Sequence, residues 1–221
     1  MVKTVTMSVS EIENLAFKAL IAAGTNEKNA ASLAHSVAIT ESDGIASHGL
    51  AYVPTYCLHV ECGKVDGNAV PTLDIVRPGL AIADAKTGFA HPAIDLGFEW
   101  LEKTAREQGV AALGLRNSYN CGILGYHTNR LASKGLLGIG FTNAPASVAP
   151  VGGKKAVLGT NPFSVAVPGS NGETRILIDQ SASVIAKSEV MKHAREGRAI
   201  PEGWALGPDG QPTTDPDVAL K

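Results

Sequence analysis

VAALGLRNSYNCGILGYHTNRLAS, from Val110 to Ser133, reads as a strand, a polar turn and a helix in direct succession. Val110–Leu115 is a short apolar run suited to a buried strand, and Gly122–Ser133 reads as a helix. Leu136–Phe141, Phe163–Val167 and Arg175–Ile178 continue as strands, with Val184–Glu196 as a last helix. This alternation predicts an α/β fold. A polar turn between a strand end and a helix start is the usual ligand-facing place in such a domain. For Arg116–Gly122 alone, an ordinary Asx-type turn is an equal reading.

Toward the N-terminus the pattern is helical. Ser8-Val9-Ser10-Glu11 has the form of a capping box, and Ile12, Leu15, Ala16, Ala19 and Leu20 follow at helical spacing until Gly24. A second helix covers Ala30–Thr40 and ends near Asp43-Gly44. A third starts at His48 or Gly49 and runs through Val60 to Gly63. From Val70 the texture changes to short apolar segments, Thr72–Val76 and Leu80–Asp84, punctuated by Pro and Gly. Residues 91–108 then read as an amphipathic helix. The expected organisation is an N-terminal helical region, 1–70, and a mixed-sheet, non-Rossmann cofactor-binding α/β domain, 71–221.

Composition narrows the function. The chain has 221 residues, 44% hydrophobic and 18% charged, enough for a sizeable core. With 19 basic and 21 acidic residues the net charge is -2, so no basic stripe is available to nucleic acid. No apolar run is long enough to span a bilayer, and the opening MVKTVTMSVSEIENL lacks a leader's apolar core; a cytoplasmic protein is expected. The odd number of cysteines, Cys57, Cys62 and Cys121, fits a reducing compartment. Cys57, His59 and Cys62 lie close in sequence, but no second ligand pair follows at zinc spacing, so no metal is expected.

Ser47-His48-Gly49, at the expected entrance of the third helix, is the candidate proton-transfer site. Histidine exchanges protons near neutral pH and a neighbouring hydroxyl can orient it. Taken alone the pair is weak evidence, and a capping serine beside a hydrogen-bonded surface histidine is the stronger reading. No G-x-G-x-x-G turn, P-loop, H-E-x-x-H pair or G-x-S-x-G elbow occurs, which removes the best sequence support for a Rossmann enzyme, phosphoryl transfer, zinc proteolysis and ordinary hydrolysis.

Four ordered segments carry a resemblance: D-G-I-A-S-H-G (43–49), N-S-Y-N-C-G (117–122), A-P-V-G-G (149–153) with G-T-N-P-F (159–163), and I-D-Q-S-A-S (178–183). Through them the chain resembles the malate/L-lactate dehydrogenase family of NAD(P)-dependent oxidoreductases that lack a Rossmann fold. Gly88–Ala93, Ala182–Ala194 and Arg195–Gly203 look most like the branch reducing Δ1-pyrroline-2-carboxylate and Δ1-piperideine-2-carboxylate.

The resemblance implies that His48 protonates the imine nitrogen, with Ser47 and Glu189 as its proton relay. It implies that Tyr52 and Thr160 meet a small carboxylate substrate. Asn120, Cys121, Gly122, Ile123 and Leu124, with Asp179, Gln180 and Ser181, would hold the cofactor, NADPH or else NADH. A solvated helix face for Glu189 and a strand-end cap for Asp179 are the plainer readings. The resemblance further implies a homodimer.

The chain departs from the family pattern in three places. Tyr52 stands where an arginine is usual, so a phenol replaces a bidentate cation. Asn120 stands where many relatives carry a histidine, and asparagine cannot titrate. Relatives continue past the D-P-D-V-A-L segment (215–220), so the chain is expected to be C-terminally truncated relative to the family. A 2-hydroxy-acid dehydrogenase and a non-catalytic remnant of the family stay open as alternatives.

Overall fold

The computed structural model describes residues 5–220. Met1–Thr4 and Lys221, at the outer ends of the expected regions 1–70 and 71–221, lie outside the described residues. Contacts gather the chain into a first unit ending at Tyr126 and a second starting at His127. The texture change at residue 70 falls inside the first unit, where helices give way to its sheet.

The first unit begins with α1 (Val9–Ala22), opened by the capping box: Ser8 Oγ accepts from the Glu11 N–H, and Glu11 Oε2 accepts from the Ser8 N–H at 2.7 Å. α2 (Glu27–Ser42) is capped by Asn26, whose Oδ1 accepts from the Asn29 N–H. Both helices bury one apolar stripe. Ala16 and Leu20 of α1 meet Ala30, Leu33, Ala34 and Val37 of α2, and Val53 and Tyr56 of α3 (Val53–Glu61) complete the cluster with Val65 and Phe89.

The third helix starts later than its periodicity predicts. Two 3₁₀ turns, Ala46–His48 and Leu50–Tyr52, precede it and are separated by Gly49 at φ -90°, ψ -135°. Gly49 interrupts the helical run, and Pro54, which lacks an N–H, is at home in the first turn of α3.

The sheet of this unit joins β1 (Thr72–Arg77), β2 (Leu80–Asp84) and β3 (Ala112–Arg116) in that order. β1 and β2 are antiparallel, whereas β2 and β3 are parallel, from Leu80 opposite Ala112 to Asp84 opposite Arg116. The sheet is therefore mixed. A parallel pair needs a crossover, supplied here by α4 (Ala90–Gln108). α4 lies close on the strands because small residues face them. Ala83, Ala85 and Ala93 form the contact layer with Leu73 and Leu113, and a Cβ on Gly97 would lie 2.4 Å from Leu113 Cδ2.

α5 (Leu124–Ala132) begins in the last residues of the first unit. It starts two residues later than expected because Gly122 takes φ +69°, outside the helical region. In the second unit, β4 (Gly138–Phe141), β5 (Phe163–Pro168) and β6 (Thr174–Gln180) form an antiparallel sheet in that order. Thr128 and Ser164, both buried, share a 2.6 Å hydrogen bond that ties α5 to the central strand. The unit ends with α6 (Lys187–Arg195), the short pair β7 (Ala205–Leu206) and β8 (Pro212–Thr213), and α7 (Pro216–Ala219), capped by Asp215.

Asp84, at the end of β2, organises the loops above the first sheet. Its carboxylate accepts from the Lys86 N–H at 2.9 Å, from Asn117 Nδ2 at 3.1 Å and from Arg116 Nε at 3.0 Å. These bonds, the Lys86 amide first and Asn117 next, hold its carboxyl well below the usual carboxylate range. Lys86, Thr87 and Asn117 all have positive φ, so the loops depend on such anchoring. A depressed folded value means that the contribution of Asp84 to stability is fully present above about pH 4 and is lost as pH falls through the folded value. Asp84→Asn should therefore melt at a lower temperature at neutral pH and lose less stability than the parent below about pH 4. Coincident melting curves for the two proteins across that range would contradict this.

Candidate active site

α2 decides where His48 sits. The Glu41 side chain, on the penultimate residue of that helix, folds back so that Oε2 accepts from the Leu50 N–H at 2.8 Å. Gly49 makes room for it, since a Cβ there would lie 2.0 Å from Glu41 Oε2 and 3.2 Å from Glu41 Cα. The His48 and Gly49 amides donate to Ile45 and Ala46 carbonyls, closing the first 3₁₀ turn. Ser47 Oγ then lies 3.1 Å from His48 Nδ1. The hydroxyl thereby fixes the plane of the ring, and both residues are partly exposed.

Tyr52 lies against the same imidazole. The two rings are nearly parallel, 7° apart, with centroids at 6.2 Å. Behind Tyr52 is an aromatic cluster. Tyr56 is buried and stands edge-on to Tyr52 at 4.8 Å, to Phe89 at 5.9 Å and to Tyr119 at 6.1 Å. Burial, with the neighbouring Tyr52, Tyr119 and Cys121, pushes the Tyr56 hydroxyl far above the usual phenol range, so it stays protonated. Tyr119 is raised as well, by burial first and then by the neighbouring Tyr52 phenol. His59 gives its Nδ1 to the Tyr119 hydroxyl rather than to Cys57 or Cys62, which are free thiols.

The turn before α5 belongs to the same unit. Asn120 Oδ1 accepts from the Gly122 N–H at 2.6 Å, forming the Asx turn that composition alone allowed. Asn120, Cys121, Gly122 and Ile123 are partly exposed and Leu124 is buried as the first residue of α5. Tyr119, next to this turn, donates its N–H to Gly88, so the turn is held at the loop that opens α4. A Cβ on Gly122 would sit 3.5 Å from His91 Nε2, which itself bonds Ser36 Oγ of α2.

The remaining candidates lie in the second unit. Thr160 accepts through its carbonyl from the Ala182 N–H, bringing the threonine beside the segment after β6. Gly159 is needed there, because a Cβ would meet the Ala144 carbonyl at 2.0 Å. Asp179 pairs across the ladder with Ser164, and Gln180 with Phe163; with Ser181 they form an exposed run at the end of β6. Glu189 occupies the first turn of α6, where a carboxylate favours the helix dipole, and lies 4.0 Å from Lys192 Nζ.

Within the first unit the structure therefore brings Ser47, His48 and Tyr52 together, and within the second it brings Thr160 to the segment after β6. Sequence reasoning missed Glu41, His59 and Tyr119. Tyr119 lay inside the N-S-Y-N-C-G segment and His59 was weighed only as a metal ligand. Nothing in the sequence pairs Glu41 with Leu50.

A family model described as malate/L-lactate dehydrogenase matches residues 7–221. The (2R)-3-sulfolactate dehydrogenase (NADP(+)) of Chromohalobacter salexigens is 40% identical over 214 residues, covering 97% of this chain and 64% of that protein. The Δ1-pyrroline-2-carboxylate reductase of Ancylobacter novellus is 38% identical, covering 98% of this chain and 63% of that protein. The crystal structure of Δ1-piperideine-2-carboxylate reductase from Pseudomonas syringae pv. tomato superposes with a TM-score of 0.94 at 34% identity, covering 99% of this chain and 65% of that one. The chain thus spans somewhat less than two thirds of the length of these relatives.

The Glu41 contact can be tested directly. Gly49→Ala should displace the carboxylate, leave the Leu50 N–H without its partner and cost about 1–3 kcal/mol of stability. Glu41→Gln keeps an accepting oxygen and should cost far less. Chemical denaturation of both variants measures this, and equal losses would refute the steric account.

Proposed function

We propose a function from one premise: the chain belongs to the malate/L-lactate dehydrogenase family. The protein is an oxidoreductase that reduces a cyclic imino acid, Δ1-pyrroline-2-carboxylate or Δ1-piperideine-2-carboxylate, to the cyclic amino acid. The observation that carries this reading is His48, locked through Nδ1 to Ser47 and stacked on Tyr52 at a partly exposed turn. The named reactions of similar proteins and the TM-score of 0.94 to a piperideine-2-carboxylate reductase support it.

The cofactor assigned is NADPH, with NADH second, and a relative whose name carries NADP(+) supports that order. The residues present suit such a group. Asn120–Ile123 form a partly exposed turn leading into a helix N-terminus, which favours a phosphate, with Gly122 free of a side chain. Leu124 opens that helix, and Asp179, Gln180 and Ser181 are assigned to the same cofactor. When bound, the reduced nicotinamide supplies a hydride to the imine carbon.

The protein's own part is the proton. As the carbon gains electron density, the adjoining nitrogen becomes too basic to remain unprotonated, and His48 delivers a proton to it from Nε2. Ser47, held at Nδ1, keeps the ring in the orientation that points Nε2 at substrate and returns a proton to the imidazole. Glu189 is assigned to the same relay on the resemblance of its segment. Tyr52 meets the substrate carboxylate through its hydroxyl and Thr160 is a second substrate contact. The same resemblance supports a cytoplasmic homodimer.

A second reading, a 2-hydroxy-acid dehydrogenase, is favoured by the 40% identity to a sulfolactate dehydrogenase. The two differ in what they consume. Δ1-piperideine-2-carboxylate with NADPH should be turned over at least about a hundredfold faster than sulfolactate, malate or lactate with NADP+. The reverse order would establish the second reading. His48→Ala should lower imine reduction by a factor of about 10² to 10⁴ while leaving the NADPH dissociation constant within about twofold. Turnover equal to wild type in that variant would refute the assignment of His48.

A further inference from the structure

Two side-chain bonds tie α2 to α4 inside the first unit. Ser32 Oγ donates to Asp95 Oδ2 at 2.5 Å and, one turn on, Ser36 Oγ lies 3.1 Å from His91 Nε2. The two ties differ in depth. Ser36 and His91 are 2% and 1% exposed, whereas the Ser32–Asp95 bond is only partly buried. Polar groups as deep as the second pair need each other, because burial denies them water.

The deeper tie lies against the turn that opens α5. A Cβ on Gly122 would be 3.5 Å from His91 Nε2 and 3.8 Å from both His91 Cε1 and Ser36 Oγ, so Gly122 rests on both partners of the bond. On its other side Gly122 gives its N–H to Asn120 Oδ1. Tyr126, in the first turn of α5, also has its ring beside the His91 imidazole, with centroids at 6.5 Å. Five residues along α2 from Ser36, Glu41 holds the Leu50 N–H beside His48. One helix therefore supports both the turn assigned to the cofactor and the turn that carries the proton donor.

We infer that Ser36 and His91 are positioning residues for the cofactor: their bond makes a fixed floor under Gly122 and so sets where the Asn120–Leu124 turn stands relative to α2. The inference rests on the reading that this turn holds NADPH. Neither side chain meets the cofactor, and both act through Gly122. Close packing passes the effect on, since a floor that loses its bond leaves space into which the turn can settle.

Titration of NADPH followed by its fluorescence, with thermal melting of each variant beside it, tests this. Ser36→Ala and His91→Leu should each weaken NADPH binding about tenfold. His91→Gln, whose side-chain amide can take the place of the Nε2 bond, should bind within about threefold of the parent. Ser32→Ala cuts the shallower tie, one turn away from the Gly122 contact. It should lower the melting temperature while leaving the dissociation constant within about twofold. Asn120→Ala opens the turn itself and should weaken binding at least as much as Ser36→Ala. Parent-like affinity in Ser36→Ala and His91→Leu, with Asn120→Ala impaired, would overturn the inference and leave the cofactor reading standing. A loss in Ser32→Ala equal to that in Ser36→Ala would overturn it too, as a general loosening of the helices. If Ser36→Ala does not fold, His91→Leu against His91→Gln decides, and equal affinities in that pair would overturn the inference. Parent-like affinity in Asn120→Ala would remove the cofactor reading, and the inference with it.

Discussion

Tyr56 is the residue on which the first unit turns. It is 1% exposed and contacts three other aromatic rings, from the turn before α3, from the entrance to α4 and from the loop after β3. Each edge-to-face pair adds about 0.5–1.5 kcal/mol beyond the area it buries. More important than the sum is the geometry. Three segments distant in sequence, near residues 52, 89 and 119, are pinned to one ring, and two of them carry groups of the candidate site.

Two carboxylates do the finer placing. Glu41 takes a main-chain N–H at the point where two 3₁₀ turns meet, and so sets the direction in which His48 leaves the backbone. Asp84 collects a main-chain N–H, an amide and a guanidinium, and so holds three positive-φ residues, Lys86, Thr87 and Asn117, in loops they would otherwise avoid. In each case an ion satisfies backbone donors that helices and strands leave over. The site is thus built from the leftover hydrogen bonds of regular structure, which is why it sits where elements end.

Much of the scaffold was legible in the residues. The Ser8 capping box, the strand Leu80–Asp84 and the α4 stripe follow from local rules and stand within a residue or two of where periodicity put them. The family, too, was legible, through four segments in order. What escaped were features set by tertiary contact. The His48 turn is 3₁₀ rather than α, and a glutamate upstream fills the space beside Gly49 and takes the Leu50 N–H; periodicity carries no record of either. His59 was read beside Cys57 and Cys62 because they are neighbours in sequence, whereas its partner, Tyr119, is sixty residues away. The candidate site residues come from the resemblance, and the contacts around them only from the structure.

The central claim is that His48 hands a proton to the substrate nitrogen. The most direct measurement is chemical rescue: turnover of Δ1-piperideine-2-carboxylate by His48→Ala as imidazole is added at fixed pH. If His48 is the donor, the rate rises in proportion to imidazole and the response strengthens as the imidazolium fraction grows. A rate indifferent to imidazole, in a variant that still binds NADPH and substrate, would contradict the account.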